Sequence, residues 1–353
     1  RGLARAGFAV RHLESRFASY GTRLSAIPAE EERFRRAVEE ARKFLEDALR
    51  GLLSGALVES KRLGIDLSTA SFTDAEYITD RSRRRLPRNT EGEIQEDEEH
   101  YIASVASRYL EVCALFEELG LGEIRSTEER ERFLAVVCTE ERARVYEASV
   151  HNLQSAYDTY IGDTTLEETD ERLPKLRGHI TVAFHLLEAV TDLVHFIERH
   201  EGARSNEATK AIAEIVDRGR VVQIAYHNLL AWAARMIYLG KEYAEALVPT
   251  YTNQRDLTID VPDELTLHAR PVSLIVKIVD HHGTPVTCEV EGAECNAGSI
   301  LEMMITVGSN AEARRYVFTG DERPLADIQL LFEAGLGEEG LESLPNELEY
   351  LRP

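Results

Sequence analysis

A chain of 353 residues, 43% of them hydrophobic, is long enough for two packed domains and too apolar for a disordered one. Its net charge of −22 argues against a general binder of nucleic acid or of anionic membrane. The four cysteines, Cys113, Cys138, Cys288 and Cys295, show no C-x-x-C spacing. Neither a zinc knuckle nor a disulfide framework is expected, and free thiols in a reducing cytoplasm are the simplest reading. No stretch approaches the roughly 20 apolar residues that span a bilayer, so no membrane insertion is expected. Charges interrupt the apolar run at Arg1-Gly2-Leu3-Ala4-Arg5, which therefore does not read as a signal peptide. The missing initiating Met points to processing or truncation.

Residues 1–250 read as helix almost throughout, an all-α bundle with a sensing or docking role. Leu13, Phe17 and Tyr20 share one stripe, and Phe34, Val38, Phe44, Leu45 and Leu49 share that of a second helix. Pro28 followed by Glu30, Glu31 and Glu32 marks where that second helix starts. The stretch 64–96 reads as a loop whose centre holds Arg81, Arg83, Arg84, Arg85 and Arg88 with Pro87. Given the acidic whole, these arginines are expected to pair with Glu91, Glu93, Glu96 and Asp97 rather than to bind RNA. A third helix is expected over about 98–118, ending at Gly120-Leu121-Gly122. A fourth begins at the capping box Ser126-Thr127-Glu128-Glu129 and is expected to persist to about Tyr160. A further pair covers about 166–199 and 206–246, giving lengths and short connections that suit an antiparallel bundle.

On one of these helices His185, Glu188, Asp192 and His195 recur at steps of three, four and three. Such a face can present metal ligands, but no second helix offers a matching Glu-x-x-His pair, so a polar stripe is the expected reading. Asp97-Glu98-Glu99-His100 is a weaker hint of the same kind. Neither a metal nor a cofactor is expected.

Pro249 to Gln254 marks a boundary. Leu257 to Val261 then alternates as a half-buried strand, Val272 to Val279 is helical, and Val286 to Val290 alternates again. Gly292 to Cys295 suits a hairpin with its return strand. Ser299 to Ile305 reads as a short helix, Tyr316 to Thr319 as a strand and Leu325 to Ala334 as a closing helix. The expected order is βαββαβα, an α+β open-faced sandwich with helices on one face of an antiparallel sheet. Residues 336–353 form an acidic tail. From Arg255 onward seven Lys and Arg stand against nineteen Asp and Glu, so this stretch is the more acidic part. An acidic domain favours a partner with a more basic face.

Chemistry gathers at Thr266-Leu267-His268-Ala269-Arg270-Pro271, where a strand-like run gives way to a helix. Free N–H groups and the positive end of a helix dipole favour an anion there. Arg270 supplies donors suited to phosphate oxygens. Pro271 costs no hydrogen bond in a first turn. An imidazole, whose ordinary titration lies near neutral pH, offers a nucleophilic nitrogen. Ser299-Ile300-Leu301-Glu302 reads as a second capping box.

Leu267 to Pro271, together with Cys295-Asn296-Ala297-Gly298-Ser299-Ile300-Leu301-Glu302-Met303-Met304, resembles HPr, the histidine-containing phosphocarrier of the bacterial sugar phosphotransferase system. The resemblance runs from about Arg255 to Gly335, under a quarter of the chain, and places an HPr-like domain at 254–335. It implies that His268 accepts a phosphoryl group on Nδ1 from an Enzyme I charged by phosphoenolpyruvate. It also implies that Arg270 steadies the phosphate and that an Enzyme IIA receives it. The resulting function is that of a cytoplasmic phosphohistidine carrier or regulator rather than a stand-alone enzyme. In part of the family the serine matching Ser299 is phosphorylated by a dedicated kinase. Two positions depart from the pattern: Thr266 stands where a glycine is usual, and Gly298 where a lysine is common. The alternative is a non-catalytic interaction module that uses this domain as a docking surface. The short linker at 250–253, without a Gly or Ser run, suits a limited set of domain orientations and leads to the expectation that the bundle tunes access to His268.

Overall fold

The computed structural model describes residues 1–67, 95–121, 126–132, 136, 138–201, 207–262 and 265–352. The arginine run 81–88, with Glu91 and Glu93, lies outside them. The chain is mostly helical up to residue 250 and continues as a four-stranded antiparallel open sheet interleaved with helices. It divides into two compact units, 1–90 with 112–241 and 91–111 with 242–353.

The helices of the first part are α1 (Gly2–Arg16), α2 (Pro28–Arg62), α3 (Gln95–Glu117), α4 (Thr127–Arg132), α5 (Glu140–Tyr160), α6 (Thr165–Thr169), α7 (Arg172–Glu201), α8 (Glu207–Ile215), α9 (Arg218–Gln223) and α10 (Ala231–Thr250). A π-helical stretch, Ile224–Leu230, joins α9 to α10. Helices α3 and α10 each run from one unit into the other.

In the first unit α7 is the central element, packing against α1 and α5. Leu176, Ile180, Ala183, Leu187, Val190 and Val194 are all buried, a stripe at helical spacing. Gly178 lets α7 approach the backbone carbonyl of Tyr20, against which a side chain would collide. Next to it His179 is fully buried and accepts the Arg23 N–H at 3.0 Å. Desolvation lowers its titration from the ordinary 6.5 to about 4, so it is a neutral core acceptor. Phe17, Phe34 and Trp232 form an aromatic ladder, with centroids 4.6 and 5.3 Å apart.

Two expectations for this part need correction. The helix begun at Ser126 does not persist to Tyr160. The capping box there is real, with Ser126 Oγ accepting the Glu129 N–H at 3.1 Å and Glu129 accepting the Ser126 N–H at 3.3 Å. Cys138 and Thr139 are not helical, however, and Thr139 Oγ1 starts α5 anew by accepting the Arg142 N–H at 3.3 Å. The second concerns membranes. The helical residues Arg172–Arg199 are long enough and, over an 18-residue window of mean hydropathy 1.5, apolar enough to cross a bilayer, and 67% of that window is buried in the protein. A helix packed inside a protein core can have the same composition as a span.

In the second unit β1 (Gln254–Asp260) leads to α11 (Ala269–His282), β2 (Val286–Val290), β3 (Ala293–Asn296), α12 (Ile300–Ser309), β4 (Arg315–Asp321) and α13 (Glu322–Glu333). The expected βαββαβα order is present, and the strands lie in the order β1-β4-β2-β3 with every pairing antiparallel. Phe318 on central β4 is fully buried and opposes Leu257 on one side and Cys288 on the other. Over it pack Val272, Ile275, Ile278, Leu325, Ile328 and Leu331 from α11 and α13.

Residues 336–352, read from sequence as an acidic tail, are folded onto this core. Leu336, Leu344, Leu348 and Leu351 are buried in it. The segment spans the length of α11. At the start of that helix Glu338 meets His268, and at its end Tyr350 stacks on His281 with ring centroids 3.7 Å apart. Tyr350 also donates to Asp327 at 2.5 Å, and His282 Nε2 lies 2.8 Å from the same oxygen. Burial pushes the Asp327 carboxyl up, but the bonds from His282 and Tyr350 and the nearby imidazoles together hold it below its ordinary value.

The larger part of α3, up to residue 111, belongs to this unit as well. Gly283 ends α11 in the left-handed conformation, φ +65°, and Ser104 of α3 occupies the space a side chain there would need. The His100 ring packs edge-on against that of His282, centroids 5.5 Å apart. Desolvation, helped by Arg323 and His282, lowers the titration of His100 from 6.5 to about 4.

Candidate functional site

The start of α11 is built by its own sequence. Leu267 is buried and anchors the incoming loop, while Val272, Leu274 and Ile275 plant the helix on the sheet. Between these anchors His268 becomes the N-cap, in extended conformation, with its carbonyl accepting the Val272 N–H at 3.1 Å. Pro271 falls in the first turn, as expected, and is itself buried.

Two bonds fix the His268 ring. Nδ1 faces the helix and accepts the backbone N–H of Arg270 at 3.4 Å. Nε2 lies 2.8 Å from Glu338 Oε1. A carboxylate accepts only, so Nε2 must carry the ring proton and Nδ1 holds the lone pair. The bond at Nδ1 is long and weak, so an electrophile can displace it. Side-chain exposures of 50% for His268 and 41% for Glu338 leave the pair open to a partner. The Arg270 side chain is exposed and makes no ion pair among the described residues. An exposed nucleophilic nitrogen, an uncommitted guanidinium and a helix N-terminus thus occupy three consecutive residues.

Sequence reasoning missed Glu338. It lies 70 residues after His268, in a stretch whose acidic run, Glu338-Glu339, carries no spacing signal.

Ser299 is the N-cap of α12, with Oγ accepting the Glu302 N–H at 3.4 Å. The reciprocal half of the expected box differs. Glu302 takes the N–H of Asn296 at 3.0 Å, and Asn296 Oδ1 takes that of Gly298 at 2.8 Å. The cap is therefore tied back into β3. Beyond it α12 exposes Ile300, Leu301, Met304 and Ile305, a solvent-facing apolar row.

The His185 stripe does not converge. His185 bonds Glu188 at 2.8 Å, Asp192 faces Arg5 at 3.4 Å, and His195 lies 2.9 Å from Glu140 on α5. The first three line a cavity of about 510 Å³ between α1 and α7, with Phe8, His12 and Phe184. Among the described residues no group of three or more His, Cys, Asp or Glu is placed to hold a metal ion. Of the other hint, Glu98 is buried, which raises its titration, and its Oε2 has no hydrogen-bond partner among the described residues. His100 turns to His282 instead.

Comparison of the chain with protein-family models, with curated proteins and with solved structures finds no match.

Proposed function

We propose that the second unit is a phosphocarrier of the HPr kind, with His268 the acceptor and Arg270 the residue that steadies the phosphoryl group. The observation that carries this reading is the N-cap imidazole whose Nδ1, held unprotonated by Glu338 at Nε2, faces a helix N-terminus beside an uncommitted arginine. In the transfer, the Nδ1 lone pair attacks phosphorus in line as the bond to the donor's imidazole breaks, and that imidazole leaves with the electron pair. Phosphoryl oxygens then replace Nδ1 as acceptors of the Arg270 N–H and receive the guanidinium. Positive charge grows on the ring as the N–P bond forms, and Glu338 faces it. The reverse sequence hands the group to an acceptor of the Enzyme IIA kind.

Incubation with phosphoenolpyruvate and Enzyme I tests this. The expected result is one acid-labile phosphoryl group per chain, absent from His268→Ala. An unlabelled wild type, or equal labelling of His268→Ala, would overturn the acceptor role. A kinase acting on Ser299 is part of the same proposal. A phosphate there sits at a helix N-terminus, where its charge is favoured.

The exposed row Ile300, Leu301, Met304 and Ile305 favours a second reading, an interaction module without turnover. In that case partners captured by the wild type persist with His268→Ala and are lost with Leu301→Asp. Under the carrier reading, His268→Ala abolishes transfer to the partner.

A further inference from the structure

Cys288 on β2 and Cys295 on β3 are directly opposite each other in the antiparallel register. They lie inside the second unit, one fully buried and the other 6% exposed, and both are free thiols. The pairing type follows from the ladder. The Ala297 N–H donates to the Val286 carbonyl at 2.9 Å, which makes 286 and 297 a hydrogen-bonded pair, and alternation makes 288 and 295 another. Opposed residues of this type have Cα atoms about 5.5 Å apart, at the most frequent separation for a disulfide. Side chains of opposed residues share a face, so the two thiols lie side by side in the core of this unit.

We infer that Cys288 and Cys295 form a reversible cross-strand disulfide, made by exchange with a small disulfide of the glutathione class. The two cysteines have distinct roles. Strand β3 has four residues at the edge of the sheet and is closed by a two-residue turn, Glu291-Gly292, with φ +49° and +81°. Such an edge opens locally without unfolding the rest. Cys295, which keeps some exposure and contacts Met303 at 3.6 Å, is the sulfur that meets the oxidant. Burial pushes the Cys288 thiol far up, so it is the poorer nucleophile of the two and reacts second, inside the mixed disulfide, giving up its proton as it attacks.

In the first step the Cys295 thiolate attacks the small disulfide, a mixed disulfide forms and one small thiolate leaves. In the second, Cys288 attacks the Cys295 sulfur of that mixed disulfide, the Cys288–Cys295 bond forms and the second small thiolate leaves. Two protein thiols are oxidised, one small disulfide is reduced to two thiols, and the protons pass from the first pair to the second. The residue after Cys295 is Asn296, which organises the turn into α12.

The test uses the full chain and does not depend on phosphoryl transfer. The folded protein is equilibrated over a range of reduced-to-oxidised glutathione ratios, quenched with acid, and its thiols are alkylated and mapped. Expected is one internal link, Cys288 to Cys295, with Cys113 and Cys138 still alkylated. The equilibrium constant in the folded chain is expected to exceed that in urea by at least about tenfold, equal to about 30 mV. Cys288→Ala is expected to stop at a glutathione adduct on Cys295. Full alkylation of all four cysteines at every ratio, or a folded-chain constant no larger than the unfolded one, would overturn the assignment. The wild-type measurement decides even where the variant fails to fold.

Discussion

Removal of the Glu338 carboxylate, as in Glu338→Ala, tests the geometry at His268 directly. In the wild type the pair at 2.8 Å places the ring proton on Nε2. Both side chains are about half exposed, so solvent screens the interaction and its worth is that of a surface pair, about 0.2–1 kcal/mol. That energy corresponds to a shift of about 1.4- to 5-fold in the ratio of the two neutral tautomers. The loss should move protons from Nε2 to Nδ1 by this factor, and unfolding stability should change by no more than the same small amount. Nitrogen chemical shifts of the ring, read in alkaline solution where an imidazole is neutral, report the tautomer ratio. The phosphoryl-acceptance rate should fall in parallel, because only a ring with a bare Nδ1 can attack. A wild-type ring protonated mainly at Nδ1, or a ratio that Glu338→Ala leaves unchanged, would refute the reasoning.

Three further outcomes follow from the same structure. Because the folded titration of His100 is depressed from 6.5 to about 4, neutral His100 contributes stability in full above pH 6.5 and loses it as pH falls toward 4. Acid denaturation of the second unit should therefore steepen in that window, and His100→Gln should flatten it; an identical pH profile would count against the half-buried placement beside Arg323 and His282. Gly283→Ala should cost about 1–2 kcal/mol for the left-handed backbone alone and more for the collision with Ser104, so adding Ser104→Ala should restore only part of the melting temperature. Ser299→Ala should cost about 1 kcal/mol in chemical denaturation through the lost cap of α12.

Much of the second unit was legible because its local patterns are regular. Alternation marked Leu257 to Val261 and Val286 to Val290, and the helix-start chemistry marked His268 and Ser299. What stayed hidden lacks a period. Residues 336–352 fold as short 3-10 turns, too brief to repeat a stripe, so the burial of Leu344, Leu348 and Leu351 leaves no trace beyond scattered leucines. The contact of Glu338 with His268 is a product of tertiary folding, and an acidic run reads as solvated. On the helical side, periodicity overran the break at Cys138 and Thr139 because α4 before it and α5 after it are both helical. The His185 stripe was legible as a face, but the partners that divide it, Arg5 and Glu140, come from other helices.

The second unit draws on two separated stretches of chain, 91–111 and 242–353. During synthesis the earlier stretch leaves the ribosome long before the later one exists. Ile102, Val105 and Tyr109, buried residues of the earlier stretch, are thus made well before the strands of their own unit. Closing so long a loop adds only slowly to the entropic cost but makes the contact non-local, which slows the encounter. Nascent-chain folding of this protein is accordingly not a simple succession from the N-terminus. The sheet cannot acquire its native complement until β4 has been made, because β4 pairs with both β1 and β2.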